Sequence, residues 1–320
     1  MLIDDYQWPS MFTRFTAVNN KPNQSLVKIK NKIESYFSEY YGCYVCLVPS
    51  ARSAISILIK YKGLTRKDTV YINKWSSMCL YSVIGPYCNI STDFINPDLI
   101  LANHKWGYKS ASYKNFNNKL IIEDSVDTIH LSQKSTFPNG GFAEIVSLPK
   151  VIGSFSGGLI LTKDHELVDY INSKQFNNMD LATIQTNAKI NQLSSKNLAG
   201  YDWSCYEYKN TSLDLKMLVN INAELNNFTL NSNIITSRRE VVHKKFPELR
   251  IDTDRVGPVV VFPKSHYMLT KNCAHFMVRQ FNSSSDVNKD MYLPSYLLPI
   301  HFRIENDIFY GLLNSIERID

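Results

Sequence analysis

Apolar residues recur along this chain with two different periods. Between Asn23 and Tyr41 they fall at Leu26, Ile29, Ile33, Phe37 and Tyr41, the spacing of one helical face, which Gly42 stops. CYVCLV (43–48) follows as a strand, and PSARSAISILIKY then predicts a helix capped by Ser50 and carrying Ile55 and Leu58. TVYIN (69–73) reads as a strand, with a helix after it through Met78 to Val83. Strand-length apolar runs come next at 99–102 (LILA), 119–122 (KLII) and 158–162 (GLILT). Most of these strands are apolar throughout instead of alternating, and they are interleaved with helices. That pattern predicts an α/β fold with a mostly parallel central sheet flanked by helices on both faces.

The pattern weakens after about residue 173. SKQFNNMDLATIQTNAKINQLSSKN is polar, rich in Asn and without a strong period, so residues 174–200 are expected to be an exposed excursion that orders against another chain. Helical pattern resumes across 211–246. VGPVVVF (256–262) looks like a strand of a smaller C-terminal α/β domain, and LLPIHFRIENDIFYGLLNSIERI reads as a turn followed by a last amphipathic helix. The expected division is a large domain over 1–205, including the excursion, and a small one over 206–320.

Composition adds exclusions. A hydrophobic content of 44% with 20% charged residues is that of a folded globular chain of 320 residues. Thirty-five basic against twenty-nine acidic residues leave a net charge of +6, spread along the chain. Its densest basic cluster, SRREVVHKKF (237–246), fits the solvated face of a helix, and no nucleic-acid-binding module accompanies it. The first residues, MLIDDYQWPSMF, carry acids in place of a basic leader, and no apolar run approaches membrane-spanning length. A cytoplasmic protein with neither nucleic-acid nor membrane partners is the expectation. Cys43 and Cys46 form a C-x-x-C without a second ligand pair, inside a strand-like run, so they read as strand cysteines and no metal site is expected.

The candidate chemistry centres on EIVSLPKVIGSFSGG (144–158). Its lone cation, Lys150, stands among small and apolar residues just before Gly157 and Gly158. Such a lysine is either a loop residue whose ammonium reaches water or an amine held as a nucleophile. Three other features bear on the choice. IIEDSVD (121–127) ends an apolar strand on Asp124, at the kind of strand edge where open α/β sheets bind ligands. PSARSAI offers the first N–H groups of a helix as a phosphate site. Ser147 supplies a hydroxyl three residues before Lys150. Alone, each has a structural explanation: a salt bridge, a capped helix, a loop hydroxyl. Together, phosphate site, carboxylate and amine point to pyridoxal 5'-phosphate, whose aldehyde, ring nitrogen and phosphate need those three partners.

The order and spelling of these pieces resemble the DegT/DnrJ/StrS-type sugar aminotransferases, which have the aspartate aminotransferase fold (fold type I). The resemblance is carried by YYGCYVCLVPSARSAISIL, ILANHKWGY (100–108), IIEDSVD, GGFAEIVSLPKVIGSFSGGLILTKD and the closing LLPIHFRIENDIFYGLLNSI, in that order along most of the chain. It implies that Lys150 is the Schiff-base lysine and that Asp124 pairs with the ring nitrogen. Ser147 and the backbone of Ala51 and Arg52 would hold the phosphate, and Asp127 would contact the cofactor from a position usually held by Gln or His. Trp75, in NKWSSMC, is either the ring that stacks on the cofactor or a core aromatic; the residue best aligned with the stacking position is Ser77. The implied activity is amination of a nucleotide-linked keto sugar with glutamate as donor, for surface polysaccharide or a related glycan, by a homodimer. The alternatives are another carbanion reaction on a sugar and a non-catalytic family member. A dehydratase of this type would be expected to carry histidine in place of Lys150.

Overall fold

A computed structural model describes residues 26–113, 116, 119–177, 179–194, 211–250, 254–270, 277–282 and 291–319. The first half contains α1 (Leu26–Tyr41), β1 (Tyr44–Val48), α2 (Ala51–Tyr61), β2 (Thr69–Ile72), α3 (Met78–Ile84), β3 (Asn89–Ser91), β4 (Leu99–Asn103), β5 (Leu120–Asp124) and β6 (Ile129–His130). Next come β7 (Ala143–Ser147), α4 (Leu148–Val151), β8 (Gly158–Thr162), α5 (His165–Asn172) and α6 (Met179–Ser194). The remainder comprises α7 (Leu215–Leu225), α8 (Phe228–Lys245), β9 (Arg255–Val256), β10 (Val259–Pro263), β11 (Tyr267–Leu269), β12 (Met277–Asn282), β13 (Tyr292–Pro299), α9 (Asn306–Asn314) and β14 (Ile316–Arg318).

Seven strands form the main sheet in the order β1-β8-β7-β5-β4-β2-β3. The strands pair in parallel from β7 to β3, while β8 runs antiparallel to both of its neighbours. Alternate residues of each strand feed different apolar layers. Val45, Leu47, Leu159 and Leu161 pack toward α1, α7 and α8. Cys46, Val48 and Ile160 pack toward α2, α3 and α5. Both faces are therefore dry, which is why these strands read as continuous apolar runs. The face of α1 made by Ile29, Ile33, Phe37 and Tyr41 is buried, and the chain leaves the helix through Gly42 at φ +67. Cys46 is buried within β1, and Cys43, just before it, is half-buried.

The later part of the chain forms an antiparallel sheet, β10-β13-β12, with β11 and β14 as a second pair. β6 and β9 pair across the two parts of the chain. The expected boundary at 205/206 lies outside the described residues. One expectation gains detail and one is corrected. Most of the 174–200 excursion is α6, a helix whose buried positions, Ala182 and Thr186, are spaced four apart in line with partly buried Ile190. Such a narrow stripe is too weak to mark a period, and residues 178 and 195–200 lie outside the described residues. The basic cluster of α8 is solvated only in part, with Lys244 and Lys245 exposed and Arg238 and Arg239 buried. Arg238 is buried and donates to the carbonyls of His301 (2.5 Å) and Ile304 (2.6 Å), and buried Arg239 donates to the Arg255 carbonyl (2.9 Å). Among the described residues no helix is long and apolar enough to cross a membrane.

Candidate active site

The register of the sheet places several candidate residues in two adjoining rows. Val48 and Ser147 both lie opposite Gly158, Asp124 lies opposite Ile145, and Asn103 lies opposite Asp124. Because β8 is the antiparallel member, its start meets the ends of β1, β4, β5 and β7 at one edge of the sheet. A cavity of about 530 Å³ opens there. Lys150, Asp124, Ser147, Ala51, Arg52, Asp127 and Trp75 all line it, as does Ser77.

Each wall has a local cause. The α2 helix begins at this edge, and Ser50 caps it by accepting the Ser53 N–H (3.1 Å). The N–H groups of Ala51 and Arg52, in its first turn, have no acceptor earlier in the helix. The Gly157–Gly158 pair lets β8 start against this helix end. Gly157 takes φ +106 and donates to the Pro49 carbonyl (2.9 Å), and a Cβ on Gly158 would stand 2.6 Å from the Ala51 nitrogen. Asp124, at the end of β5, is 1% exposed. Its Oδ2 accepts from Asn103 Nδ2 (2.7 Å) and its Oδ1 from the Val126 N–H (3.3 Å). Burial pushes its pKa up to about 6, against the Asn103 hydrogen bond; Asp127 adds to the rise and Lys150 opposes it.

Lys150 stands on the single turn α4 and its Nζ lies 2.5 Å from Asp127 Oδ1, with both side chains largely buried. The loop that follows is gripped by the later part of the chain. Asn220 Oδ1 accepts from the Phe155 N–H (3.1 Å), and Arg303, paired with Glu224 at 2.8 Å, reaches the Gly153 carbonyl (3.4 Å). Behind these rows, buried His104 accepts the Ser110 N–H on Nδ1 (3.0 Å), so its Nε2 carries the proton donated to Glu123 (2.8 Å). Burial, the main cause, lowers its pKa and keeps the imidazole neutral.

Among the lining residues that escaped the sequence reading are Asn103, Lys105, Lys189 and Arg279. Strand register could have exposed Asn103, which sits directly beside Asp124. The other three come from three separate elements, and no local pattern announces them. Lys105 lies over the Trp106 ring (4.6 Å), which stacks on Phe281, and donates to the Gln280 carbonyl (3.3 Å). Burial lowers its pKa, with Asp127 opposing and Arg279 and Lys150 reinforcing that fall. Trp75 is 57% exposed and holds φ +62, a conformation rare for a residue with a side chain. It is therefore no core aromatic.

The donor set suits pyridoxal phosphate: helix N–H groups for a phosphate, a buried carboxylate for a ring nitrogen, and an amine for an aldehyde, all facing one cavity of adequate size. Comparison with known proteins agrees. A family model described as "Putative PLP-dependent aminotransferase" matches residues 33–319, so the chain belongs to that family of pyridoxal-phosphate-dependent aminotransferases. Among solved structures, it is similar to the E. coli GDP-4-keto-6-deoxy-D-mannose-3-dehydratase with bound hydrated PLP, at 15% identity and a TM-score of 0.60, covering 95% of this chain and 99% of that one. A DegT DnrJ EryC1 StrS aminotransferase from Brucella abortus matches at 12% identity and a TM-score of 0.58, covering 92% and 90%. DesV from S. venezuelae, solved with a ketimine intermediate, matches at 10% identity and 0.54, covering 90% and 88%. These likenesses show the fold, fold type I. No curated protein sequence matches.

Proposed function

We propose that this enzyme transfers an amino group from glutamate to a keto sugar carried on a nucleotide, in the cytoplasm, for surface polysaccharide or a related glycan. The observation that carries the reading is a single cavity with two sets of anion partners. The start of α2, with Ser147 nearby, suits the cofactor phosphate, while Lys105, Lys189 and Arg279 bring positive charge to the same cavity for the phosphates of a nucleotide and a donor carboxylate. The neighbours of known structure include a GDP-4-keto-6-deoxy-D-mannose-3-dehydratase and DesI, solved in the presence of its TDP-sugar product.

When bound, pyridoxal phosphate supplies an aldehyde that accepts amines and a ring that withdraws electrons from the carbon being deprotonated. The chain's own residues do the rest. Asp124 would hold the ring nitrogen in its charged form. The N–H groups of Ala51 and Arg52 and the Ser147 hydroxyl would hold the phosphate, and the indole of Trp75 would lie against the ring. Asp127 holds Lys150 Nζ in place, and that nitrogen takes the α-proton of the donor. Its effectiveness would come from position, with Asp127 holding it beside the carbon to be deprotonated.

A dehydration on the sugar is the second reading, raised by the dehydratase among the similar structures; the amine of Lys150 in place of an imidazole weighs against it. A non-catalytic member would have no use for a buried Asp124 that burial makes costly to ionise. Incubation with glutamate and a panel of nucleotide-linked keto sugars, read by mass analysis, tests the proposal. It expects an amino-for-keto exchange in at least one sugar; loss of water in place of amine gain overturns it.

The working unit is proposed to be a homodimer. α6 buries only a narrow stripe against its own subunit and carries Lys189 to the cavity, so a partner packed on its outer side would close the substrate end of the site. Sedimentation across a concentration range should show a dimer, and a fully active monomer would rule this out.

A further inference from the structure

The 2.5 Å contact between Lys150 Nζ and Asp127 Oδ1 sets a full negative charge against the one nitrogen on which the proposed chemistry turns. A hydrogen-bonding amide at position 127 would orient that nitrogen without favouring either of its protonation states. A carboxylate at this distance favours the charged state, and it does so in a half-dry cavity where solvent screens it little. Its other neighbours carry both signs of charge. Lys105 faces both members of the pair and Arg279 faces Lys105, while Asp124 adds a second negative group from β5. His301, from the turn after β13, approaches the Lys150 backbone as a neutral imidazole, its charged form disfavoured by burial. Arg52 on α2 and Lys189 on α6 line the same cavity.

We propose that Asp127 is the fixed counter-ion of Lys150: a positioning residue that holds positive charge on Nζ both in the free chain and while the nitrogen is joined to a carbonyl compound. The consequence is chemical. A positively charged carbon–nitrogen double bond is the form an incoming amine attacks, so Asp127 favours exchange of the lysine for the donor. No covalent step is added. When Nζ must act as a base, its proton leaves to solvent and the electron pair stays on nitrogen.

The reading of the lysine as cofactor-bearing underlies the second half of this proposal, so the test begins on the chain alone. The full-length protein, freed of bound carbonyl compounds, is pulse-labelled with acetic anhydride over a pH range, and the Lys150 peptide is quantified by mass spectrometry. Exposed Lys28 and Lys67 serve as references, and buried Lys30 reports any unfolding. At pH 8, Lys150 of Asp127→Asn should label at least about tenfold faster than in the wild type. The gap should close at higher pH, where the amine is neutral in both. Asp127→Glu, which keeps the charge, should label slowly, as the wild type does. Equal labelling of wild type and Asp127→Asn at every pH overturns the proposal, and so does an Asp127→Glu variant as fast as the asparagine one. With pyridoxal phosphate added, the colour change that marks loss of the proton from the linked nitrogen should move to lower pH in Asp127→Asn. A chain that binds no pyridoxal phosphate would defeat the proposed function while leaving the labelling result to decide the pair.

Discussion

Asp124 is costly to the fold, and the proposed reaction is what gives it a use. Its pKa, pushed up to about 6 by burial, means that ionising it at pH 7 costs the fold roughly 3 kcal/mol relative to an ordinary carboxylate. The sign follows from the direction of the shift. The penalty is full above the folded value and vanishes as pH falls toward the ordinary carboxylate range. Asp124→Asn should therefore unfold at a urea concentration equal to or above that of the wild type at pH 7, with the difference closing between pH 6 and 4. Its turnover should fall by at least about 100-fold, because a neutral amide gives the ring nitrogen no charge partner. Unchanged activity with the cofactor still bound would refute the assigned role. That Asp124 and Lys150 share a cavity could be anticipated from the sequence, because each sits in a short run whose spelling is local. Arg279 and Lys189 were not, because only tertiary packing brings β12 and α6 to the same cavity.

Among the elements, the close approach of β8 to the start of α2 builds the proposed phosphate site. It works only because Gly158 has no side chain: a Cβ would stand 2.6 Å from the Ala51 nitrogen and 2.7 Å from the Ser50 carbonyl carbon. Both obstacles are backbone, so neither can swing aside. Gly158→Ala should cost about 1–3 kcal/mol of stability and weaken phosphate-dependent cofactor retention, measurable by urea unfolding and by dialysis against phosphate buffer. A variant as stable and as retentive as the wild type would contradict this construction. The Gly-Gly pair was readable, as were the apolar strands, since a sheet covered on both faces demands unbroken apolar runs. Two-residue β6 and β9 and three-residue β14 escaped because they are shorter than any period that could reveal them. Arg238 and Arg239 misled because a basic run looks solvated until its carbonyl partners on other elements are known.

Across the whole molecule, β6 and β9 join the two parts of the chain around a fully buried set of charges. Glu144 lies 3.0 Å from Arg255 and 2.7 Å from His130. Burial alone would raise its pKa, yet these contacts hold it well below the usual carboxylate range, and burial keeps His130 neutral. Glu144→Gln leaves Arg255 buried with its charge partner gone and should destabilise the protein by about 3–5 kcal/mol. Acid should act in two stages. The buried imidazoles of His104, His130 and His301, all with lowered pKa, protonate first in the unfolded chain. Stability should thus start to fall below about pH 6.5, by up to about 1.4 kcal/mol per pH unit for each, with Asp124 offsetting part of it. The contribution of Glu144 is complete above the ordinary carboxylate range and is lost below about pH 4. Urea midpoints measured from pH 8 to 3 should show this profile; a midpoint constant from pH 7 down to 5 would contradict it.

The central claim is that Lys150 carries the cofactor, and reductive trapping addresses it most directly. The purified protein is equilibrated with pyridoxal phosphate, reduced with borohydride, digested and mapped by mass spectrometry. The account expects a yellow protein whose colour bleaches on reduction and a single stoichiometric adduct on Lys150. A stoichiometric adduct on Lys105, Lys189 or any other lysine, with Lys150 unmodified, would contradict it.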